Sequence, residues 1–429
     1  MKLPIKKATQ MMLTSTLAVF VFVQTTVYAT KSASEGGQRN GIEYGLISVQ
    51  GKRQTMEDAH TIQVPLAEIG GALFGVFDGH GTDTAAALAS ANLPGYFIQS
   101  YKLFGYTGPA FTRAFLDLDE RINQEEQKIG WAGGTMAVAA YVSPTESSSH
   151  ILTIANTGDS RAIFCSIQRD GSVATTATID HNATHLGEYK RLKYSALGTQ
   201  LLTLQPGGAT RLVLPGPPEE IQTRLSIMAS GSTRSLGDFS FKNLSRQGHS
   251  GPWGNLNQLT IWPAGGHTLI PDPEIYQMPF EAHNFAILAC DGLWDMVTNE
   301  EASNIAALYM TIQDEEWLRQ EAHRLTIELE QQEKRTDESM KEIAKTGGKP
   351  YTRITPLLAP LDPTNKCHLA AAALVLLASQ RWLSLGSPSS GDNISVLVFR
   401  PTTPGAQPEY ATQDTNAENE SHPHKRRKR

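Results

Sequence analysis

Seven carboxylates in this chain stand where apolar or turn-bounded runs stop: Glu57, Asp58, Asp78, Asp159, Asp291, Asp295 and Asp392. Most adjoin a glycine, and none falls inside an expected helix. Taken singly, such an acid is an ordinary turn or cap residue. Taken together, they sit at the ends of apolar strands, and strands lying side by side bring their ends into one cluster. Carboxylates a few ångströms apart repel and raise one another's pKa, so a cluster of this kind calls for cations. Oxygen donors without a Cys or His quartet select hard ions: magnesium, manganese or calcium. The most pointed case is Phe74-Gly-Val-Phe-Asp-Gly-His-Gly81. There an apolar strand ends in Asp78, with His80 close behind and glycines that permit a tight backbone turn.

The elements that must carry these groups alternate along the chain. Apolar runs at 44–50, 71–77, 135–142, 285–290 and 391–399 read as strands. Runs at 151–155, 161–167 and 173–179 read as a three-stranded meander, with turns at 156–160 and 169–172. Helical spacing marks 83–104, 107–129, 186–194 and 367–385, the last too interrupted by polar residues to suggest a membrane span. Thr298 and Glu301 have the spacing of a capping box and open another helix. Residues 315–346 read as a solvated, partly amphipathic helix, and 195–283 as long glycine- and proline-rich surface loops around residues 232–238.

The chain has 429 residues, 40% of them hydrophobic, which is ample for a large buried core. A formal charge of -6 argues against a chain built to bind nucleic acid. Three scattered cysteines, Cys165, Cys290 and Cys367, make neither a disulfide framework nor a structural zinc site. Cys165 and Cys290 read as buried, inert thiols in apolar strands.

The two ends give different addresses. Residues 1–29 combine a basic start, an apolar centre and small residues at Val27-Tyr-Ala29, the pattern of a secretory signal peptide. A membrane anchor and a mitochondrial presequence are the alternatives. Residues 30–40 read as a linker, and 401–429 as a disordered tail closing on the basic cluster Lys425-Arg-Arg-Lys-Arg429, a nuclear-import pattern. Export from one cell into the nucleus of a host cell satisfies both addresses. A sequon, Asn393-Ile-Ser395, directly follows Asp392 and is expected to be buried before it can be glycosylated.

The ordered motifs resemble one family. Arg53-Gln-Thr-Met-Glu-Asp58, Phe77-Asp-Gly-His-Gly81, Gly134-Thr-Met-Ala137, Asn156-Thr-Gly-Asp-Ser-Arg161 and Asp180-His181 come first. Arg234-Ser-Leu-Gly-Asp238, Pro271-Asp-Pro-Glu274, Leu288-Ala-Cys-Asp-Gly-Leu-Trp-Asp295 and Gly391-Asp-Asn-Ile-Ser-Val396 complete the set. The chain from about 41 to 400 is similar to the metal-dependent type-2C (PPM) serine/threonine protein phosphatases. The resemblance implies an α+β fold, a four-layer αββα sandwich of two antiparallel sheets flanked by helices, with a binuclear metal site at one end. It implies two Mn²⁺ or Mg²⁺ ions and a weaker third. Asp78 would bridge the pair. The Gly79 carbonyl, Glu57, Asp291 and Asp392 would complete the ligand sets, with Asp58 beside them. Asp159 and Asp295, with Asp291, match the third position, Arg53 matches the phosphate-gripping arginine, and His80 matches the general acid.

That assignment makes chemical sense. Two hard cations lower the pKa of a shared water, and hydroxide attacks phosphorus in line. Arg53 pairs with phosphate oxygens. His80 protonates the serine or threonine alkoxide, a poor leaving group, unless it serves only to orient Asp78. Expected partners are phosphoserine and phosphothreonine proteins, with no need for nucleic acid, no membrane span once the leader is removed, and a monomeric state. The alternative is an inactive, phosphatase-like binding module. Departures from the family are Thr82 in place of a glycine and insertions near 195–230 and 311–366, none of which removes a metal candidate.

Overall fold

A computed structural model describes residues 33–130, 132–144, 149–194, 200–203, 210–213, 229–242, 250–251, 254–255, 269–345, 351, 360–385 and 391–402. The expected signal peptide and basic tail lie outside these residues, as does much of the 195–230 insertion.

Two antiparallel sheets face each other. The first has the order β1 (Ala33–Arg39), β2 (Ile42–Val49), β17 (Ile394–Pro401), β16 (Asn284–Ala289), β7 (Arg161–Ile167) and β8 (Val173–Ala177). The second runs β15 (Glu274–Phe280), β6 (His150–Thr157), β5 (Gly134–Val142), β4 (Ala72–His80) and β3 (Ala59–Gln63), with the short β12 (Leu236–Gly237) also pairing β5. Strands of this kind put alternate side chains on opposite faces, so each sheet feeds two cores. Between the sheets, Leu46, Phe74, Val76, Val138, Ile154, Leu288 and Phe399 are buried together. The rings of Phe74 and Phe399 stack across that gap at 4.4 Å.

Helices cover both outer faces. Helices α1 (Thr84–Phe104) and α2 (Thr107–Ile129) place Leu93, Phe97, Phe111, Phe115 and Leu118 against Leu73, Phe77 and Tyr141 of the second sheet. Short helices α3 (Leu186–Tyr194), α4 (Phe239–Lys242) and α5 (Asp291–Trp294) lie between strands in the chain. Over the first sheet pack α6 (Asn299–Thr311), α7 (Glu315–Lys345) and α8 (Lys366–Ser384). The capping box of α6 is formed, Thr298 and Glu301 each accepting the other's backbone N–H. Helix α7 buries the stripe Leu318, Ala322, Leu325 and Leu329 and turns ion pairs such as Arg324–Glu328 outward. This is the αββα sandwich expected from the sequence. Among the described residues no helix is long and apolar enough to cross a membrane.

Three local expectations are corrected, and one strand carries no sequence signal. The described part of the expected 30–40 linker, from Ala33 on, is a strand, because β1 pairs along its whole length with β2. The hinge is Asn40-Gly41, both with positive φ (51° and 72°), the strongest short signal for a two-residue hairpin turn. The runs at 151–155, 161–167 and 173–179 do not form a three-stranded meander. Strand β6 stays in the second sheet while β7 and β8 belong to the first, and Gly158, at φ 104°, lies in the connection that crosses between them. Strand β3, which carries no long apolar run, stood unread between the 53–58 motif and β4. Within 195–283 the structure forms β15 and a small sheet of β9 (Gln200–Thr203), β10 (Thr210–Val213) and β11 (Ala229–Ser230), with a further pair, β13 (Ser250–Gly251) and β14 (Gly254–Asn255). Glycine and proline density hid them.

Candidate metal centre

Strand register brings the acids to one end of the sandwich. In the second sheet Ala59 lies opposite Phe77, so Asp58 and Asp78 leave neighbouring strands side by side. In the first sheet Ala289 lies opposite Val396, which carries Asp291 and Asp392 out of the same edge. Glycines let these segments close. A Cβ on Gly79 would lie 2.3 Å from the Glu57 carbonyl oxygen, and one on Gly292 would lie 1.9 Å from that of Asn393. Asn393 ties the segments together: its Oδ1 accepts from Glu57 N (2.8 Å), and its Nδ2 donates to the carbonyls of Gln50 (2.8 Å) and Thr55 (3.0 Å).

The carboxylates feel one another strongly. Burial, then Asp291, Asp58, Asp392 and Asp159, push the Asp78 pKa well above the carboxylate range. Asp291 is raised in the same way by burial, Asp392, Asp159 and Asp295, with Asp78 close enough to offset part of the rise. Asp58 is buried and pushed up to about 7 by burial, although its Oδ2 accepts from Ser395 Oγ at 2.6 Å. Asp159 is pushed up to about 6 by burial and Asp180, and its buried Oδ1 has no hydrogen-bond partner among the described residues. Glu57 accepts from Thr55 Oγ1 at 2.9 Å. Asp295 is exposed at the end of α5, its amide bonded to the Asp291 carbonyl at 2.8 Å.

The structure therefore gathers Asp58, Asp78, Asp159, Asp291 and Asp392, with Glu57 and Asp295 at the margin. Concentrated carboxylates, four of them raised by burial and then by one another's charge, with a buried orphan oxygen among them, fit hard divalent cations. Cys290 was read only as a buried thiol. It is one, but its Sγ lies within 4.8 Å of ligand atoms of Asp58 and Asp78. Burial and the neighbouring acids hold that thiol protonated, so it adds no charge to the donor set.

Two further groups border the acids. Arg53 is half-exposed; its Nη2 lies 2.5 Å from Asp392 Oδ2, and its Nε donates to the Gly391 carbonyl at 2.9 Å. His80 Nε2 lies 2.8 and 2.9 Å from the two carboxylate oxygens of Asp238. Burial would lower the His80 pKa, yet the Asp238 charge and hydrogen bond hold it above the usual histidine value. The sequence placed Asp238 in a motif but gave it no role; nothing in a one-dimensional pattern pairs it with a histidine 158 positions away. Thr82, the departure from the family pattern, donates to the Ala132 carbonyl (2.6 Å) and accepts from Thr84 N (3.3 Å) at the start of α1.

The family model for Protein phosphatase 2C matches residues 42–338. The chain belongs to the protein phosphatase 2C family. Among relatives of this phosphatase 2C chain, Protein phosphatase 1B of Mus musculus is 28% identical over 304 residues, covering 67% of this chain and 66% of the mouse protein. Protein phosphatase 1A of Homo sapiens is 28% identical over 293 residues, covering 65% of each. The chain thus spans slightly under two thirds of the length of these curated relatives. A serine-threonine phosphatase 2C from Toxoplasma gondii superposes with a TM-score of 0.54 at 16% identity, covering 86% of this chain and all (100%) of that one. A sex-determining protein of C. elegans superposes with a TM-score of 0.51 at 18% identity, covering 84% of this chain and 65% of that one. These likenesses establish the 2C fold. Asp392 lies beyond the family match, on the segment leading into β17.

Proposed function

We propose that this protein is a metal-dependent phosphatase acting on phosphoserine and phosphothreonine in proteins. The observation that carries the reading is the convergence of strand-end carboxylates from both sheets, with a guanidinium already bonded to one of them. Asp78, the Gly79 carbonyl, Glu57, Asp58, Asp291 and Asp392 would hold two Mn²⁺ or Mg²⁺ ions, and Asp159 and Asp295 a weaker third. When bound, such ions neutralise the acids and supply an acidified water at neutral pH.

The chain's own groups do the rest. Arg53 stands at the rim, where its guanidinium can bond two phosphate oxygens and offset their charge. His80, whose affinity for a proton Asp238 raises against the effect of burial, gives a ring proton to the departing alkoxide as the bond from phosphorus to the serine or threonine oxygen breaks. Water oxygen takes the place of that oxygen on phosphorus, so the products are the free hydroxyl and inorganic phosphate. The carboxylate of Asp238 stabilises the imidazolium before transfer and is freed of that charge afterwards.

The test is phosphate release from a phosphothreonine peptide with manganese, with magnesium and with chelator. Release that needs metal and stops with chelator is expected. Metal-independent release refutes the mechanism, and no release under any condition leaves the binding-module alternative. For its place of action we propose export followed by entry into a host nucleus. Residues 1–29 and the cluster at 425–429 support that reading, together with the 4% exposure of Asn393, which keeps the sequon from modification once folded.

A further inference from the structure

The aim of Asp238 depends on a braced turn. Gly237 and Asp238 have φ of 81° and 56°, a left-handed pair in which the aspartate is not at rest by itself. Asp238 N donates to the Gly133 carbonyl at 3.1 Å, and Ser235 Oγ donates to Asp238 Oδ2 at 2.6 Å. The remaining support comes from outside the turn. Asp119 of α2 accepts with one oxygen both from Gly237 N at 2.8 Å and from Lys242 Nζ at 2.6 Å. Lys242 Nζ also donates to the Ser235 carbonyl at 2.7 Å. A single ammonium and a single carboxylate oxygen therefore grip the residues on both sides of the turn. The Lys242 side chain is only 4% exposed and that of Asp119 14%. Burying such a pair gains little net stability over apolar residues of the same volume, so its geometry is what it contributes.

We propose that Asp119 and Lys242 are positioning residues for the leaving-group proton: they fix the 235–238 turn so that the Asp238 carboxylate faces His80 Nε2. The proposal rests on the reading of His80 as the acid. It predicts a loss confined to substrates that need that proton. A structural brace alone would lower turnover on every substrate alike.

The experiment compares Asp119→Asn, Lys242→Met, Lys242→Arg and His80→Gln in the full chain with Mn²⁺, on a phosphothreonine peptide and on an aryl phosphate whose phenolate leaves without help. Asp119→Asn and Lys242→Met should lower kcat on the peptide by about tenfold or more and on the aryl phosphate by less than about twofold, with KM little changed. Lys242→Arg, which keeps the charge, should recover most of the peptide rate. His80→Gln should show the same split, more strongly. Equal losses on both substrates in Asp119→Asn and Lys242→Met, beside a clear split in His80→Gln, overturn the proposal and leave the acid reading standing. Equal losses in His80→Gln overturn both. The near-isosteric Asp119→Asn decides the question if Lys242→Met does not fold.

Discussion

Replacing Gly292 by alanine tests whether backbone spacing sets the acid cluster. A Cβ at this position would lie 1.9 Å from the Asn393 carbonyl oxygen, 3.0 Å from its carbon and 3.3 Å from Asp392 Cβ. Folded proteins do not hold a Cβ closer than about 3 Å to a backbone oxygen, so α5 and the segment before β17 must part by about 1 Å. Neither side yields easily. Asn393 is bonded to Glu57, Gln50 and Thr55, and Trp294 of α5 donates to the Ala289 carbonyl at 3.0 Å. Overpacking of this order costs about 1–3 kcal/mol, a fall of several degrees in Tm. The larger effect should be on chemistry, because the parting segments carry Asp291 and Asp392, and a 1 Å misplacement costs about 100-fold. Turnover of a phosphothreonine peptide with Mn²⁺, calorimetric Mn²⁺ titration and thermal melting measure the three effects. Gly95→Ala, inside α1 where a Cβ meets nothing within 4 Å, is the control and should leave turnover and Mn²⁺ affinity unchanged while Tm stays the same or rises slightly. A folded Gly292→Ala protein with wild-type metal affinity and turnover within twofold would refute the reasoning.

Asp78→Ala, Asp291→Ala and Asp392→Ala should each abolish manganese-dependent turnover and weaken Mn²⁺ binding by calorimetry while the protein stays folded; near-normal activity in Asp78→Ala would remove its bridging role. Glu188, buried among Arg234, Arg191 and Thr233, supplies a pH test away from the acids. Burial would raise its pKa, but those partners hold it down at about 2, so its contribution to stability is full above about pH 4.5 and is lost as pH falls toward 2. Wild type should therefore lose on the order of 3 kcal/mol more than Glu188→Gln between pH 5 and pH 2 in denaturant unfolding, and parallel losses would contradict the assignment. Imaging the full chain and a version lacking residues 425–429, made in the source cell beside a host cell, should show nuclear entry only for the full chain. Retention in the producing cell's cytoplasm sinks export, and unchanged nuclear entry of the shorter chain sinks the role of the tail.

What the sequence made legible was the layout of the acids. Most are marked locally, by a stop after or before an apolar run and, at Asp78, Asp159, Asp291 and Asp392, by a neighbouring glycine, and that signal survives without knowing which strand pairs with which. Helix α2 was equally plain, since Phe111, Phe115, Leu118 and Ile122 are spaced for one buried face. What could not be read depends on pairing across the chain. The turn at Gly158 has the composition of a hairpin but joins two different sheets, and only the packing of both reveals that. Asp238 meets His80 because a backbone with positive φ, bonded to Asp119 of α2, turns its carboxylate toward the histidine ring. The Asn40-Gly41 hairpin was a different case: its signal was present, but β1 has no apolar alternation to draw attention to it.

The strand order has a consequence for how the protein is made. Strand β17 leaves the ribosome after every other described strand, yet it lies inside its sheet, between β2 and β16. Until it emerges, β2 and β16 each present an open edge of unpaired backbone groups. The pairing that closes them joins Ile394 to Val49, across most of the polypeptide, and contacts so remote in sequence form slowly. Until then the first sheet stays divided, β1 and β2 on one side and β16, β7 and β8 on the other, and open edges of this kind favour aggregation. Asp392 and Asn393 arrive immediately ahead of the closing strand, so the acid cluster cannot assemble on a growing or prematurely terminated chain.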